Sequence, residues 1–334
     1  MSELRQDPVT GVWVVIAPER KKRPRLFHRG SARDLAGPKD CPFCAGNEGL
    51  TPPEILAIRP PGAPAGGPDW QLRVFPNRFP ALRVEGNLDR RGDGLYDRMS
   101  GIGAHEVIVE SPDHATQLAD LPPAAMNRVL TVFQQRIRDL KNDLRLRYVM
   151  IFKNQGPAAG ASLPHTHSQL VALPVVPLRV RQELEGARRH FQQKERCLFC
   201  DIVAQEIADG QRLVWEDAMA CVVAPYAPRF PFELAIYPRR HGARFEDCPE
   251  SELAGVGAAL TTALGRLNLA LKNPDYNLVL HNAPSAPGDE ASFHWHFEVM
   301  PALGSVAGFE WGSGFSINPI PPEEAAAVLR EVRP

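Results

Sequence analysis

Neither charge dominates the chain. It carries 38 Lys and Arg against 39 Asp and Glu, a net charge of −1 with histidine neutral, and no block of like charge forms a tail. A duplex-binding protein would show a basic surplus, so nucleic acid is not expected as a partner. Long apolar runs are missing as well. Met1 to Arg23 contains no apolar segment of the kind a signal peptide needs, and no later run approaches a membrane span. The expectation is a cytoplasmic protein with no membrane partner. Cysteine is scarce, six in 334 residues. Four of the six form two C-x-x-C pairs, which in a cytoplasmic chain point to metal or redox chemistry. Cys221 and Cys248 stand alone and read as small buried side chains. The length allows a full core and two domains of ordinary size.

What is present is a repeat. The first half runs Cys41-Pro-Phe-Cys44, Val74-Phe-Pro-Asn-Arg-Phe-Pro80, His105 to His114, a long amphipathic stretch, Tyr148 to Asn154, then Pro164-His-Thr-His167. The second runs Cys197-Leu-Phe-Cys200, Ala224 to Pro231, Phe232 to His241, another amphipathic stretch, Tyr276 to Asn282, then Phe293-His-Trp-His296. Late spacing agrees: 51 positions separate His114 from His165, and 53 separate His241 from His294. Early spacing does not, with 70 positions from Cys44 to His114 against 41 from Cys200 to His241. The surplus reads as surface insertion, because Pro and Gly crowd Pro52 to Pro68, while charge and Gly fill Glu85 to Asp97. Internal repetition of this kind sets the fold before any single residue does.

Met126, Leu130, Phe133, Ile137, Leu140 and Leu144 recur at helical spacing, as do Leu253, Val256, Leu260, Leu264, Leu267 and Leu271. Glu106 to Glu110 and Val149 to Phe152 are short, β-branched and apolar, so they read as strands, and Leu4 to Ile16 reads as a hairpin about Asp7-Pro-Val-Thr-Gly11. Short connections favour antiparallel pairing and an α+β class: two tandem units, each an antiparallel sheet with one long helix. The expected domains are 1–180, carrying catalysis, and 181–334, carrying a second metal, with the seam in a charged helical stretch at Val180 to Glu195.

Zinc favours four ligands drawn from thiolate and imidazole. Two C-x-x-C pairs at matching places in a repeat, each followed by matching histidines, give two such sets: Cys41, Cys44, His114 and His165, then Cys197, Cys200, His241 and His294. Two zinc ions per chain are expected, structural in kind, because four protein ligands leave no open position. On a strand, residues i, i+2 and i+4 share a face, so His165, His167 and Gln169 fall together. A metal on His165 would pin the backbone and aim His167, whose imidazole can attack phosphorus. Gln169 can donate to phosphoryl oxygens, and the loop Asn154 to Ser162 offers small residues to cradle a diphosphate. The second copy reads His294, His296, Glu298. A carboxylate cannot donate while ionised, so the first half is expected to carry the chemistry.

Taken together, the repeat, the C-x-x-C pairs and His-x-His-x-Gln resemble the galactose-1-phosphate uridylyltransferase branch of the histidine-triad superfamily, over nearly the whole chain. The resemblance implies that His167 is a covalent nucleophile and that Gln169 holds the α-phosphate. It places phosphate-loop residues on Asn154, Gly160 and Ser162 and a nucleoside-proximal asparagine on Asn77. Arg20 and Arg23 match an arginine pair that reaches across a homodimer. It implies ping-pong transfer between a nucleotide sugar and a sugar phosphate or phosphate, of the UDP-glucose:hexose-1-phosphate uridylyltransferase type. The tail Gly308 to Pro319 and the second Cys pair look more like the ADP-glucose phosphorylase members, which transfer adenylyl to phosphate. Thr166 stands where the family usually has proline. The galactose enzymes can also hold iron on one Glu and three His, which would be Glu183, His281, His294 and His296 here. That set and the cysteine set both need His294. Two readings of other classes fit the same residues: a nucleotide hydrolase, and a non-catalytic zinc-stabilised binding protein.

Overall fold

The structure, a computed structural model, describes residues 2–22 and 37–334. The chain opens with the hairpin β1 (Glu3–Gln6) and β2 (Trp13–Ile16). Its turn is held by Asp7 Oδ1, which accepts the Val9 and Thr10 amide protons at 2.8 Å. The first half continues with β3 (Leu56–Ile58), β4 (Leu72–Pro76), an exposed hairpin of β5 (Arg91–Asp93) and β6 (Tyr96–Arg98), β7 (Ala104–Val109), α1 (Pro123–Leu140), β8 (Tyr148–Gln155) and β9 (His167–Leu173). Helices α2 (Leu178–Lys194) and α3 (Leu198–Asp209) lead into the second half: β10 (Leu213–Glu216), β11 (Ala220–Val223), β12 (Leu234–Pro238), α4 (Glu250–Leu271), β13 (Tyr276–His281) and β14 (His296–Pro301). The chain closes with α5 (Gly308–Ser313), β15 (Ser316–Asn318) and α6 (Pro322–Glu331).

Ten strands form one antiparallel sheet in the order β3-β4-β7-β9-β8-β13-β14-β12-β11-β10. Read outward from its centre, each half supplies five strands in the same order: β8, β9, β7, β4, β3 on one side and β13, β14, β12, β11, β10 on the other. The repeat is therefore a pseudo-twofold, and the class is α+β. The halves join where β8 pairs with β13, from Gln155–Tyr276 to Ile151–Leu280. The initial hairpin is tied to the second half, because β15 pairs in parallel with β2 and Arg5 bonds Glu323 of α6 at 2.8 Å.

Register corrects the alignment of the two halves by one residue. Ile151 pairs with Leu170, and Leu278 pairs with Val299. Leu170 and Val299 stand equally far beyond His167 and His296, so Ile151 matches Leu278. Asn154 therefore matches His281, and not Asn282 as the shared Tyr and Asn suggest. A slip of one would put the wrong face of β13 toward the helices.

One face of the sheet lies under α1 and α4. Val149, Ile151, Leu170 and Ala172 from the first half, and Leu278, Leu280, Phe297 and Val299 from the second, pack against Met126, Leu130, Phe133 and Ile137 of α1 and Leu253, Val256, Leu260 and Leu264 of α4. Each such burial contributes roughly 1.5–3 kcal/mol. Leu144, expected to extend the α1 stripe, lies beyond the helix end and is exposed. By length and composition α4 could cross a membrane, but its apolar stripe belongs to this core. The Pro52 to Pro68 segment is not only an insertion, since it supplies edge strand β3, with Leu56 paired to Val74.

The opposite face differs between halves. In the second, α2 and α3 cover it, with Val180, Leu184, Ala187 and Phe199 against Val223, Ala235 and Tyr237. In the first, a small cluster of Cys41, Phe43, Cys44, Trp70, Phe75, Val107 and Val109 covers only part of the sheet.

Candidate active site and metal centres

That partial cover leaves a cavity of about 380 Å³ whose lining includes Phe43, Phe75, Asn77, Ser162, His167 and Gln169. His167 and Gln169 project from β9 as alternate residues of one strand. Asn77 follows β4, and Ser162 comes from the loop between β8 and β9. Asn154 and Gly160 are not among the lining residues. Asn154 instead braces that loop through Asn277: Asn154 Oδ1 accepts from Asn277 Nδ2 at 2.8 Å, and Asn277 Nδ2 also donates to the Ala159 carbonyl at 2.9 Å. Gly156 cannot be replaced here. Its φ is 81°, and a Cβ would lie 2.0 Å from Asp275 Oδ1, whose other oxygen accepts the Ala158 amide proton. Arg20 lies in the turn after β2, apart from the cavity, and Arg23 falls outside the described residues.

His167 is 6% exposed. Its Nδ1 lies 2.8 Å from the His165 carbonyl, which can only accept, so Nδ1 carries the proton and Nε2 keeps its lone pair. Burial, reinforced by the Lys153 charge, lowers its pKa to about 4, so the ring is neutral at ordinary pH. Phe43, inside the first Cys pair, packs its ring 5.1 Å from the His167 ring, centre to centre.

Behind β9 lies a group that sequence reading missed. Lys153 Nζ donates to Glu110 Oε2 at 2.8 Å, to Thr166 Oγ1 at 2.9 Å and to the His167 carbonyl at 2.9 Å. Thr166 and Ser168 each donate to Glu110 at 2.5 Å. Lys153 is 1% exposed. Burial opposes both charges, but Lys153 and the two hydroxyls hold the Glu110 carboxyl below its usual range. The hydroxyl of Thr166 is thus one corner of a buried network that grips the backbone on either side of His167, where a proline ring would have stiffened it. A lone lysine inside the apolar run Tyr148 to Phe152–Lys153 was the available signal.

Both expected metal sets converge. Cys41, Cys44, His114 and His165 place their ligand atoms within 4.8 Å of one another, and so do Cys197, Cys200, His241 and His294. Cys44 Sγ is 3.2 Å from His114 Nδ1 and 3.5 Å from His165 Nδ1, and Cys200 Sγ is 3.4 Å from both His241 and His294 Nδ1. Zinc bonds of about 2.3 Å to sulfur and 2.0–2.1 Å to nitrogen give tetrahedral edges of about 3.5 Å. The tautomers suit a metal too. His165 Nε2 donates to the Ser111 carbonyl, His241 Nε2 to Glu290 and His294 Nε2 to Pro238, which leaves each Nδ1 a lone pair toward the thiols.

His294 therefore belongs to the cysteine set. Of the Glu and three-His set, the structure gathers Glu183, His281 and His296 as a separate group without it. In that group His281 Nδ1 faces Glu183 at 2.9 Å and Nε2 faces Glu298 at 3.1 Å. Burial works against a charge, yet the two carboxylates raise its pKa to about 10. Both ring nitrogens thus face carboxylates in this arrangement. Glu298, the carboxylate that stands where the first half has Gln169, is bound to His281 at 3.1 Å and to Arg229 at 2.6 Å.

Two tandem units, with one open histidine site beside a Cys₂His₂ group, are the arrangement that the resemblance to a nucleotidyltransferase family implies, and comparison with known proteins bears out that family. Residues 1–177 match the family described as galactose-1-phosphate uridyl transferase, N-terminal domain, and residues 101–332 match a domain of unknown function. The chain is 36% identical to an ADP-glucose phosphorylase of Arabidopsis thaliana, covering 99% of this chain and 93% of the relative. It is 29% identical to a galactose-1-phosphate uridylyltransferase of Thermotoga maritima, covering 99% and 98%. A solved structure of the Arabidopsis thaliana ADP-glucose phosphorylase with bound ADP-glucose superposes with a TM-score of 0.85 at 34% identity over all of both chains. The chain belongs to the galactose-1-phosphate uridyl transferase family.

Proposed function

We propose that this enzyme moves a nucleoside monophosphate from a nucleotide sugar to a phosphate acceptor in two steps through His167. The observation that carries the reading is the unprotonated Nε2 of a neutral, backbone-anchored imidazole at a cavity that also receives Gln169, Asn77 and Ser162. In the first step the Nε2 lone pair attacks the α-phosphorus. A P–N bond forms, the P–O bond to the β-phosphate breaks, and the sugar-1-phosphate leaves with the electron pair. In the second step an acceptor oxygen attacks the same phosphorus and the P–N bond breaks. Gln169 supplies a donor where negative charge grows on the phosphoryl oxygens. Ser162 and the Gly156–Gly160 loop enclose the diphosphate.

The donor read here is ADP-glucose with phosphate as acceptor, supported by the higher identity to the Arabidopsis thaliana phosphorylase and by the second cysteine pair. Uridylyl transfer between hexose phosphates is the second reading, supported by the matched family. Each Cys₂His₂ group would hold one zinc ion as a structural knuckle, and the first would fix the backbone at His165. A homodimer completes the reading. Arg20 lies outside its own chain's cavity, so any action on phosphate would be on a partner's site.

Incubation with labelled ADP-glucose and with labelled UDP-glucose, without acceptor, tests this. Acid-labile, base-stable nucleotide on His167 is expected, discharged by phosphate as ADP in the preferred reading. Turnover with no adduct from either donor would sink the His167 mechanism.

A further inference from the structure

His105 lies beside the cavity on β7, and no reading of the motif assigns it a role. Its Nδ1 is 3.1 Å from the Ala81 backbone nitrogen, and its Nε2 is 2.9 Å from Gln169 Oε1. The Ala81 amide can only donate, so Nδ1 accepts and Nε2 bears the proton. That proton fixes the Gln169 side chain with its oxygen toward His105 and its –NH₂ turned away. Asn77 Nδ2 lies 3.2 Å from the same Nε2 but is itself a donor, because Asn77 Oδ1 already accepts the Phe79 amide proton at 2.9 Å. It is a neighbour of that N–H and not its acceptor.

We propose that His105 is a positioning residue for nucleotidyl transfer: it holds the Gln169 carbonyl oxygen so that the Gln169 amide protons face the reacting phosphate. The proposal rests on the reading of Gln169 as a phosphate ligand. A free glutamine amide can rotate by half a turn and present an oxygen to the phosphate, where it repels. His105 removes that alternative. The matching pair in the second half, Glu233 and Glu298, is likewise tied together, there by Arg229 at 2.5 and 2.6 Å, so position 105 and its counterpart both govern the orientation of the residue across the sheet.

The test uses two substitutions that separate the ring nitrogens. His105→Gln can keep a donor near the Nε2 position. His105→Asn keeps a partner for the Ala81 amide but cannot reach Gln169. Single-turnover labelling by the active nucleotide sugar should fall about 10²-fold in Gln169→Ala and at least tenfold in His105→Asn, with nucleotide affinity little changed. His105→Gln should stay within a few-fold of wild type, and the double variant His105→Asn with Gln169→Ala should be no slower than Gln169→Ala alone. A merely structural role for His105 predicts the reverse order of the Gln and Asn variants, and that order would overturn the proposal. If Gln169→Ala itself transfers at the wild-type rate, the phosphate-ligand reading has failed instead. Nitrogen-15 NMR of the wild-type ring needs no variant: a protonated Nε2 and bare Nδ1 are expected, and the opposite tautomer refutes the argument.

Discussion

The two halves of the sheet carry the same positions with opposite electrostatics. In the first, His167, Gln169, Asn154 and His105 are amides and imidazoles, and His167 and Gln169 line an open cavity of about 380 Å³. In the second, their counterparts His296, Glu298, His281 and Glu233 include two carboxylates and an imidazolium, cross-paired with Glu183 and Arg229. Helix α2 closes over them, and the space that remains is about 40 Å³. His296 keeps the local geometry of a nucleophile, with Nδ1 on the His294 carbonyl at 3.0 Å and burial, with His281, lowering its pKa to about 4. If His167 alone carries the transfer, as proposed, a correctly held imidazole is not sufficient, and the difference lies in the neutral space in front of Nε2, which charge pairing has filled in the second copy.

The sharpest break in this comparison is His167→Ala against His296→Ala. The first should lower turnover by at least about 10³-fold with nucleotide binding retained, and the second should leave kcat within a few-fold while lowering Tm. Steady-state rates and melting curves on both decide it, and equal losses of kcat would refute the division of labour.

The metal knuckles come next. Elemental analysis should give two zinc ions per chain. Cys41→Ser should cost stability and reduce adduct formation, because its site anchors His165, whereas Cys197→Ser should cost stability with turnover preserved at temperatures where it remains folded.

Lys153→Met should destabilise by about 3–5 kcal/mol, because it strands the Glu110 carboxylate in the core. The double change Lys153→Met with Glu110→Leu should recover much of that in denaturant titration. Its transfer rate should stay low, since nothing then grips the His167 carbonyl. A double variant with wild-type rate would show that the network serves packing alone.

The smallest effect is one of pH. His281 titrates higher folded than unfolded, so its contribution is complete below about 6.5 and is lost as pH rises toward about 10. Stability should decline over that window, and His281→Asn should flatten the decline. An unchanged alkaline slope in the variant would show that the imidazolium is not the group responsible.

Most of the fold was legible because repetition was. Matching C-x-x-C pairs, helical stripes and His-x-His motifs survive duplication, and they pointed to the residues that converge in both Cys₂His₂ groups and to the strand that lines the open cavity. What escaped depended on contacts across strands. The one-residue slip at Tyr148 and Tyr276 is invisible when both segments are alternating apolar runs. The role of Thr166 needed Lys153 and Glu110, 13 and 56 residues away in sequence, to be seen beside it. The pairing of Glu298 needed Arg229 and His281. Strand β3 was hidden in a Pro-rich stretch, because three residues are too few to show a period.

The β8–β13 seam makes each half the other's missing edge strand. A chain cut in the α2 linker would leave Tyr148–Gln155 with unpaired amides and carbonyls, and such an edge recruits another strand. The nearest match in shape is a second copy of the same fragment. First-half fragments should then self-associate edge to edge into a symmetric assembly with two open cavities, and adding the complementary fragment should convert that assembly into the native one.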